Sequence, residues 1–313
     1  RRHCTQETVR SELCPALGGS LVSQGEIVGA AIVSHHPGLF QTEEFRIAAG
    51  DGRDSDLIPG FRRLREKIDV SGAETLVLFD THWFTTGCHL VDAGAHYEGV
   101  FISDEMPWYL HGQKYRYDGD PVLAHICAEV ASEREVVARA IDEPTLPRHY
   151  ATINVVNALV RAEQVMSVGS CQTAATENYL EMGAVIGEAI KRSGRKVVLL
   201  ASGALSHKFR NINAVPPHPR IYHPDNVSSD FNRESDYRAI ALLEQGRHKD
   251  ILRQFDQEYR RLPWEAWGAH YLQMIGALGG SDCTAKGTAL SEYENAHGTG
   301  NIHIWFDVSQ RDS

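Results

Sequence analysis

The chain has little positive charge: 31 Lys and Arg stand against 41 Asp and Glu, a formal net charge of -10 over 313 residues. Affinity for nucleic acid rests largely on clustered Lys and Arg, and no basic stripe interrupts the acidic balance, so nucleic acid is excluded as a partner class. Long apolar runs are also missing. Nothing approaches the roughly 18 consecutive apolar residues of a membrane span, and residues 1–24 lack the apolar centre of a signal peptide. The expectation is a cytoplasmic protein with no membrane partner. The six cysteines are scattered without the close pairs of a structural zinc site or a small disulfide scaffold, as suits idle or buried thiols in a reducing compartment. Internal repeats and low-complexity linkers are absent as well. At roughly 100 to 200 residues per domain the length allows one domain or two, and this continuity favours one, over residues 25–313, with residues 1–24 as an N-terminal extension outside the core.

Histidine, by contrast, is abundant, with sixteen in the chain, which makes a metal worth seeking. Several lie where apolar, β-leaning runs end. Leu76-Val77-Leu78-Phe79 runs into Asp80-Thr81-His82-Trp83; Ile27 to Val33 runs into Ser34-His35-His36-Pro37; Val197 to Leu200 runs into Ser202-Gly203-Ala204-Leu205-Ser206-His207. The apolar spacing of Phe61, Leu64 and Ile68 predicts a helix over 58–70 between the first two runs. Strand, helix, strand is a βαβ unit with parallel pairing. Further helices are expected over 121–130, 150–162, 178–191, 231–245, 248–261 and 270–278, with strands over 135–138, 164–169, 196–201 and 302–308. The aromatic, irregular stretch 85–117 reads as a β excursion. The loop 211–226, rich in Pro, His and Asn, is too long for a simple connector and so carries a functional expectation. The fold class is α/β: a central, mostly parallel sheet flanked by helices. Ligands of such sheets bind beyond the carboxyl ends of the strands, where distant histidines converge.

Two imidazoles from separate strand ends and one carboxylate from a third segment make a two-His, one-carboxylate face with adjacent open positions, which suits Fe(II) and oxygen chemistry. His35 and His82 are the evident imidazoles; spacing alone does not find the carboxylate.

The motifs together resemble a family. Ser34-His35-His36-Pro37, Phe79-Asp80-Thr81-His82-Trp83, Tyr97-Glu98-Gly99-Val100-Phe101 with Glu105 and Pro107, Leu200 through His207, Glu265 placed eleven residues before Gly276, and Gly298-Thr299-Gly300 occur in this order. The chain is thereby similar to the class III extradiol ring-cleaving dioxygenases, the superfamily of the protocatechuate 4,5-dioxygenase catalytic subunit. It looks most like the 3,4-dihydroxyphenylacetate (homoprotocatechuate) 2,3-dioxygenase branch. The resemblance implies Fe(II) held by His35, His82 and Glu265, with His207 as the acid/base histidine. It also implies O2 and a catechol as small-molecule partners, extradiol cleavage to a hydroxymuconic semialdehyde-type product, and a homo-oligomer.

Where many relatives carry Asp-His-Gly, this chain has His149-Tyr150-Ala151, so Tyr150 is the candidate second catalytic group and His149 a substrate contact. The family's substrate is often an aromatic acid. Arg148 and His223 are therefore candidate carboxylate contacts, with Lys208 and Arg220 behind them, and the substrate is either 3,4-dihydroxyphenylacetate-like or a larger lignin-derived catechol. Two other classes fit the same residues: a zinc hydrolase, since His, His and Glu also suit zinc, and a non-catalytic binding protein of the same fold.

Overall fold

The computed structural model describes residues 24–258 and 261–308. Except for Gln24, the expected extension over 1–24 lies outside the described residues. The first half of the chain builds β1 (Glu26–Val33), α1 (Glu43–Ala49), α2 (Leu57–Ser71), β2 (Thr75–Thr85), β3 (His89–Asp92), β4 (His96–Ile102), β5 (His111–Asp118), α3 (Pro121–Glu133), β6 (Ala138–Ile141) and α4 (Tyr150–Leu159). The second half builds β7 (Gln164–Cys171), α5 (Thr176–Ser193), β8 (Lys196–Ser202), α6 (Asp230–Glu244), α7 (His248–Glu258), α8 (Ala269–Ala277), β9 (Gly287–Ala289), β10 (Glu294–Ala296), β11 (Thr299–Asn301) and β12 (Ile304–Phe306).

Eight strands form one sheet in the order β6-β3-β7-β2-β8-β1-β12-β9. Its centre, β7-β2-β8-β1, is parallel, while β3, β12 and β9 join antiparallel neighbours. Near-continuous apolar runs make the central strands fit for burial on both faces. Ala30, Ile32, Val77, Phe79, Leu199 and Ala201 pack on one side, against α3, α5 and α8. Ala31, Val33, Leu76, Leu78, Val198 and Leu200 point the other way, against α2 and α4. The period of two in a strand thus divides one sequence run between two cores.

β1 and β2 are parallel, but β8 inserts between them. β1 and β8 finish level with Asp80, midway along β2: Val33 and Asp80 both pair with Ser202. The residues beyond this level therefore emerge over one edge of the sheet.

Several boundaries differ from expectation. The strand expected over 135–138 begins at Ala138, because Glu135 adopts a left-handed φ of 58° and Val136 N–H donates back to the Ala131 carbonyl, closing α3 before pairing can start. The terminal strand expected over 302–308 is shortened to β12, with β11 lying just ahead of it. Between them His303 N–H donates to Ser291 Oγ. The 85–117 excursion resolves into β3 and the separate β4–β5 hairpin, and α1 had no apolar spacing to announce it. Cys127 and Cys171 are buried free thiols.

α8 lies against α5 closely enough that a Cβ on Gly276 would meet the Leu180 carbonyl oxygen at 2.4 Å, and one on Gly183 the Gln273 carbonyl oxygen at 2.2 Å. Backbone cannot yield as a flexible side chain can. Gly276→Ala is expected to destabilise the protein by about 1–3 kcal/mol through overpacking, read as a lowered denaturation midpoint; an unchanged midpoint would mean that the two helices separate freely.

Candidate functional site

His35, His82 and Glu265 converge beyond the level of Val33, Ser202 and Asp80. One donor atom from each lies within 4.8 Å of the other two. Nε2 of His35 is 3.4 Å and Nε2 of His82 3.2 Å from Glu265 Oε1.

Each side chain is held by local structure. His35 leaves β1 two residues after Val33, and its carbonyl accepts from Asn154 Nδ2 at 2.8 Å. Its Nδ1 is 2.9 Å from Ser202 Oγ, which gives its own proton to the Ala151 carbonyl. The hydroxyl must therefore accept from Nδ1–H, leaving the lone pair of Nε2 to face the cluster, the tautomer a metal ligand needs.

His82 is projected by an interruption in β2. Pairing with β7 holds through Phe79 and resumes only at Phe84. Asp80 closes the intervening turn: Oδ1 accepts from the N–H groups of His82 and Trp83, at 2.7 and 2.8 Å, and Oδ2 from the Thr152 hydroxyl at 2.6 Å. The Tyr150 ring lies 4.0 Å from that of His82 and 5.5 Å from that of His35, and its hydroxyl donates to Glu105 at 3.3 Å.

Glu265 is 4 % exposed, so its charge needs partners. Oε1 accepts from the Thr81 hydroxyl at 2.9 Å and Oε2 from Ala204 N–H at 2.6 Å. Burial would raise the carboxyl, but His35, His207 and His82 around it hold it well below its ordinary range. Burial likewise opposes charge on His82, yet Glu265 raises that imidazole above its ordinary value. Directly after Glu265 the chain takes three left-handed residues, Ala266, Trp267 and Gly268, at φ of 44, 58 and 77°. Non-glycine residues rarely occupy this region, and where they do the surroundings over-determine them; here the turn carries the chain from the Glu265 carboxylate into α8.

The residues fit a divalent ion. Bonds of about 2.0–2.2 Å to a first-row metal place neighbouring ligand atoms roughly 3 Å apart, close to the separations from Glu265, and His82 Nε2 is a buried atom without a hydrogen-bond partner. His35 and Glu265 line a cavity of about 740 Å³ together with His36, His207 and Tyr150. His207 Nε2 is 3.8 Å from Glu265 Oε1. A Cβ on Gly203 would come within 2.9 Å of the His270 ring, which explains a glycine in that loop.

Some expected residues are not brought here. Arg148 is ion-paired to Asp92 and covers the Tyr97 ring at 4.5 Å. His149 starts α4, and His223 stacks on His218 at 3.5 Å; Arg220 faces Glu294 at 3.7 Å. These residues, with Lys208, do not line the cavity, since their local partners or exposure take them elsewhere. The aromatic stretch divides: Tyr97 and Tyr117 pack on the α2–α4 side, whereas Met106, Trp108 and Tyr109 line the cavity. The 211–226 loop does reach it, through Asn211, Ile212 and Ile221 among others. Sequence reasoning missed His297, a left-handed residue at φ 53° lining the cavity, Arg210 beside it in the lining, and the supports Thr81, Ser202 and Thr152. Only the site motif around Arg210 pointed that way. His36, next to His35, accepts from Gly38 N–H and lies 2.8 Å from the Tyr222 hydroxyl; burial and the nearby His297, His35 and His207 push its pKa down to about 3.

A two-histidine, one-glutamate cluster at the carboxyl edge of a mostly parallel sheet is a set of side chains able to hold a metal ion. Residues 29–307 match the family described as the catalytic LigB subunit of aromatic ring-opening dioxygenase, and the chain belongs to that family of ring-cleaving dioxygenases. It is 26 % identical over 271 residues to 3,4-dihydroxyphenylacetate 2,3-dioxygenase of Escherichia coli, covering 85 % of this chain and 95 % of that one. It is also 26 % identical over 299 residues to a 2-aminophenol 1,6-dioxygenase beta subunit of Pseudomonas sp., covering 92 % and 96 %. The crystal structure of an uncharacterized Escherichia coli K12 protein shares the fold at a TM-score of 0.58 and 17 % identity, over 89 % of this chain and 99 % of that one. No helix among the described residues is long and apolar enough to cross a membrane.

Asp80→Ala is expected to leave two N–H groups and the Thr152 hydroxyl without their acceptor. Each unsatisfied group costs about 1–3 kcal/mol, so the variant should show both a lowered denaturation midpoint and weaker retention of added ferrous ion. Native retention would remove Asp80 from the positioning of His82.

Proposed function

We propose that the protein is a non-haem Fe(II) extradiol dioxygenase that opens a catecholic aromatic acid beside its diol, both atoms of O2 entering a hydroxymuconic semialdehyde-type product. The observation that carries this reading is the convergence of His35, His82 and Glu265 beside a cavity that His35, Glu265 and His207 line, in a chain of a ring-opening family. In this reading those three residues hold the iron. When bound, ferrous ion supplies a template for diol and O2 side by side and a route for electron density between them.

The chain supplies the rest. Glu265, kept ionised by the histidines around it, contributes one negative charge to balance the cation. The Ser202 hydroxyl fixes the His35 ring so that only Nε2 faces the cluster. His207, whose Nε2 lies 3.8 Å from Glu265 Oε1, takes the proton from a catechol hydroxyl and returns one to oxygen as the ring opens, the work of a general acid and base. Tyr150 covers the two imidazoles and offers a hydroxyl at the cavity wall, where it orients the diol. The largely apolar wall of Phe45, Met106, Trp108 and Phe209 excludes water from the reacting atoms.

The test is anaerobic loading with ferrous ion, metal analysis, and oxygen uptake on a panel of catechols, with one O2 consumed per yellow ring-opened product. No uptake with any diol, together with retained zinc and hydrolysis of esters, would overturn the reading in favour of a zinc hydrolase. Within it, His82→Ala should lose iron. His207→Ala should keep iron and lose turnover by about 10²–10⁴-fold, and undiminished turnover would remove the acid/base role.

A further inference from the structure

Among the described residues, Arg210 is the single Arg or Lys that lines the cavity. Its guanidinium donates to the Val227 carbonyl. Its Nε is buried with no acceptor, and no carboxylate among the described residues forms an ion pair with it. Nearby arginines differ: Arg46 faces Asp54 at 2.8 Å, Arg148 faces Asp92, and Arg220 faces Glu294 at 3.7 Å. The two carboxylates in the cavity wall are engaged elsewhere, Glu105 by Tyr150 and Glu265 by Thr81 and Ala204. A half-buried guanidinium beside Phe209 and Ile212 thus lacks a counter-charge, and a planar anion matches its fork of donors.

Size and reach point the same way. A cavity of about 150 Å³ is enough for a benzene ring, and this one is about 740 Å³. Arg210 follows His207 by three residues, a separation of at most roughly 10 Å along the backbone, and both residues line the cavity.

We propose that Arg210 is the specificity-determining anchor of the cavity, binding a carboxylate carried on an apolar substituent of the ring substrate. The preferred substrates are then extended aryl acids, in preference to bare catechols or neutral analogues. Its catalytic consequence rests on the dioxygenase reading; its binding consequence does not.

The experiment has two arms. In turnover, iron-loaded wild type and Arg210→Ala are compared on 3-(3,4-dihydroxyphenyl)propanoate and its methyl ester. The ratio of kcat/KM for acid over ester should fall about 10- to 100-fold in the variant, the range of a charged hydrogen-bonded contact, and Arg210→Lys should retain part of the preference. In binding, titration calorimetry on the metal-free protein compares 4-phenylbutanoate with 4-phenylbutanamide, neither of which can be cleaved. Wild type should prefer the acid and Arg210→Ala should not. An acid-to-ester ratio unchanged by Arg210→Ala, or equal binding of acid and amide by wild type, overturns the anchor. Acid preference in calorimetry without turnover of any diol leaves the anchor standing and sinks the dioxygenase reading; turnover without charge preference does the reverse.

Discussion

The site depends on one buried negative charge. Glu265 sits among three histidines and is almost wholly withdrawn from solvent, and the protein keeps it ionised by surrounding it with donors and cations. Thr81 from the β2 turn and Ala204 from the loop after β8 each give it a hydrogen bond. Its own N–H donates to the Leu205 carbonyl at 3.1 Å, and His207 N–H donates to the Pro263 carbonyl at 2.5 Å, so the loop bearing His207 is tied to the segment bearing the carboxylate. The left-handed turn at Ala266 to Gly268 and the close seat of α8 on α5 then fix where that segment can lie.

The imidazoles come to this charge because of strand register. β8 lies between β1 and β2, and Ser202 pairs with Val33 on one side and Asp80 on the other. Ser202 also orients His35 with its hydroxyl, and Asp80 closes the turn that presents His82. One level of the sheet therefore sets two imidazoles, while the residues beyond it shape the cavity. Polar side chains that look incidental in the sequence do this positioning: Asp80, Thr81, Thr152 and Ser202 spend their hydrogen bonds on the backbone and on the functional side chains.

Much of this was legible in advance. Apolar runs ending in Asp-Thr-His and Ser-His announce strand ends with chemistry on them, because a buried run that stops at polar residues marks where the chain leaves the core. The residues expected at the centre, His35, His82, Glu265 and His207, are brought together. The contacts expected for the substrate were not. Arg148, His149 and His223 were chosen for charge and neighbourhood in the chain, yet Arg148 is taken by Asp92 and His223 by His218, and His149 lies outside the cavity lining. Arg210, which carried no motif of its own, is the cation that the cavity retains.

The sequence by itself determined the α/β class, the central parallel strands and the three strand-end motifs, since apolar periodicity and turn residues act locally and can be read along the chain. The family resemblance added Glu265, which spacing could not reach. Only the tertiary structure decided that β8 would separate β1 from β2, which cavity-lining arginine would lack a counter-charge, and how large a space would stand beside the cluster. Those outcomes depend on register and on competition among distant side chains for hydrogen bonds and counter-charges, which no local pattern records.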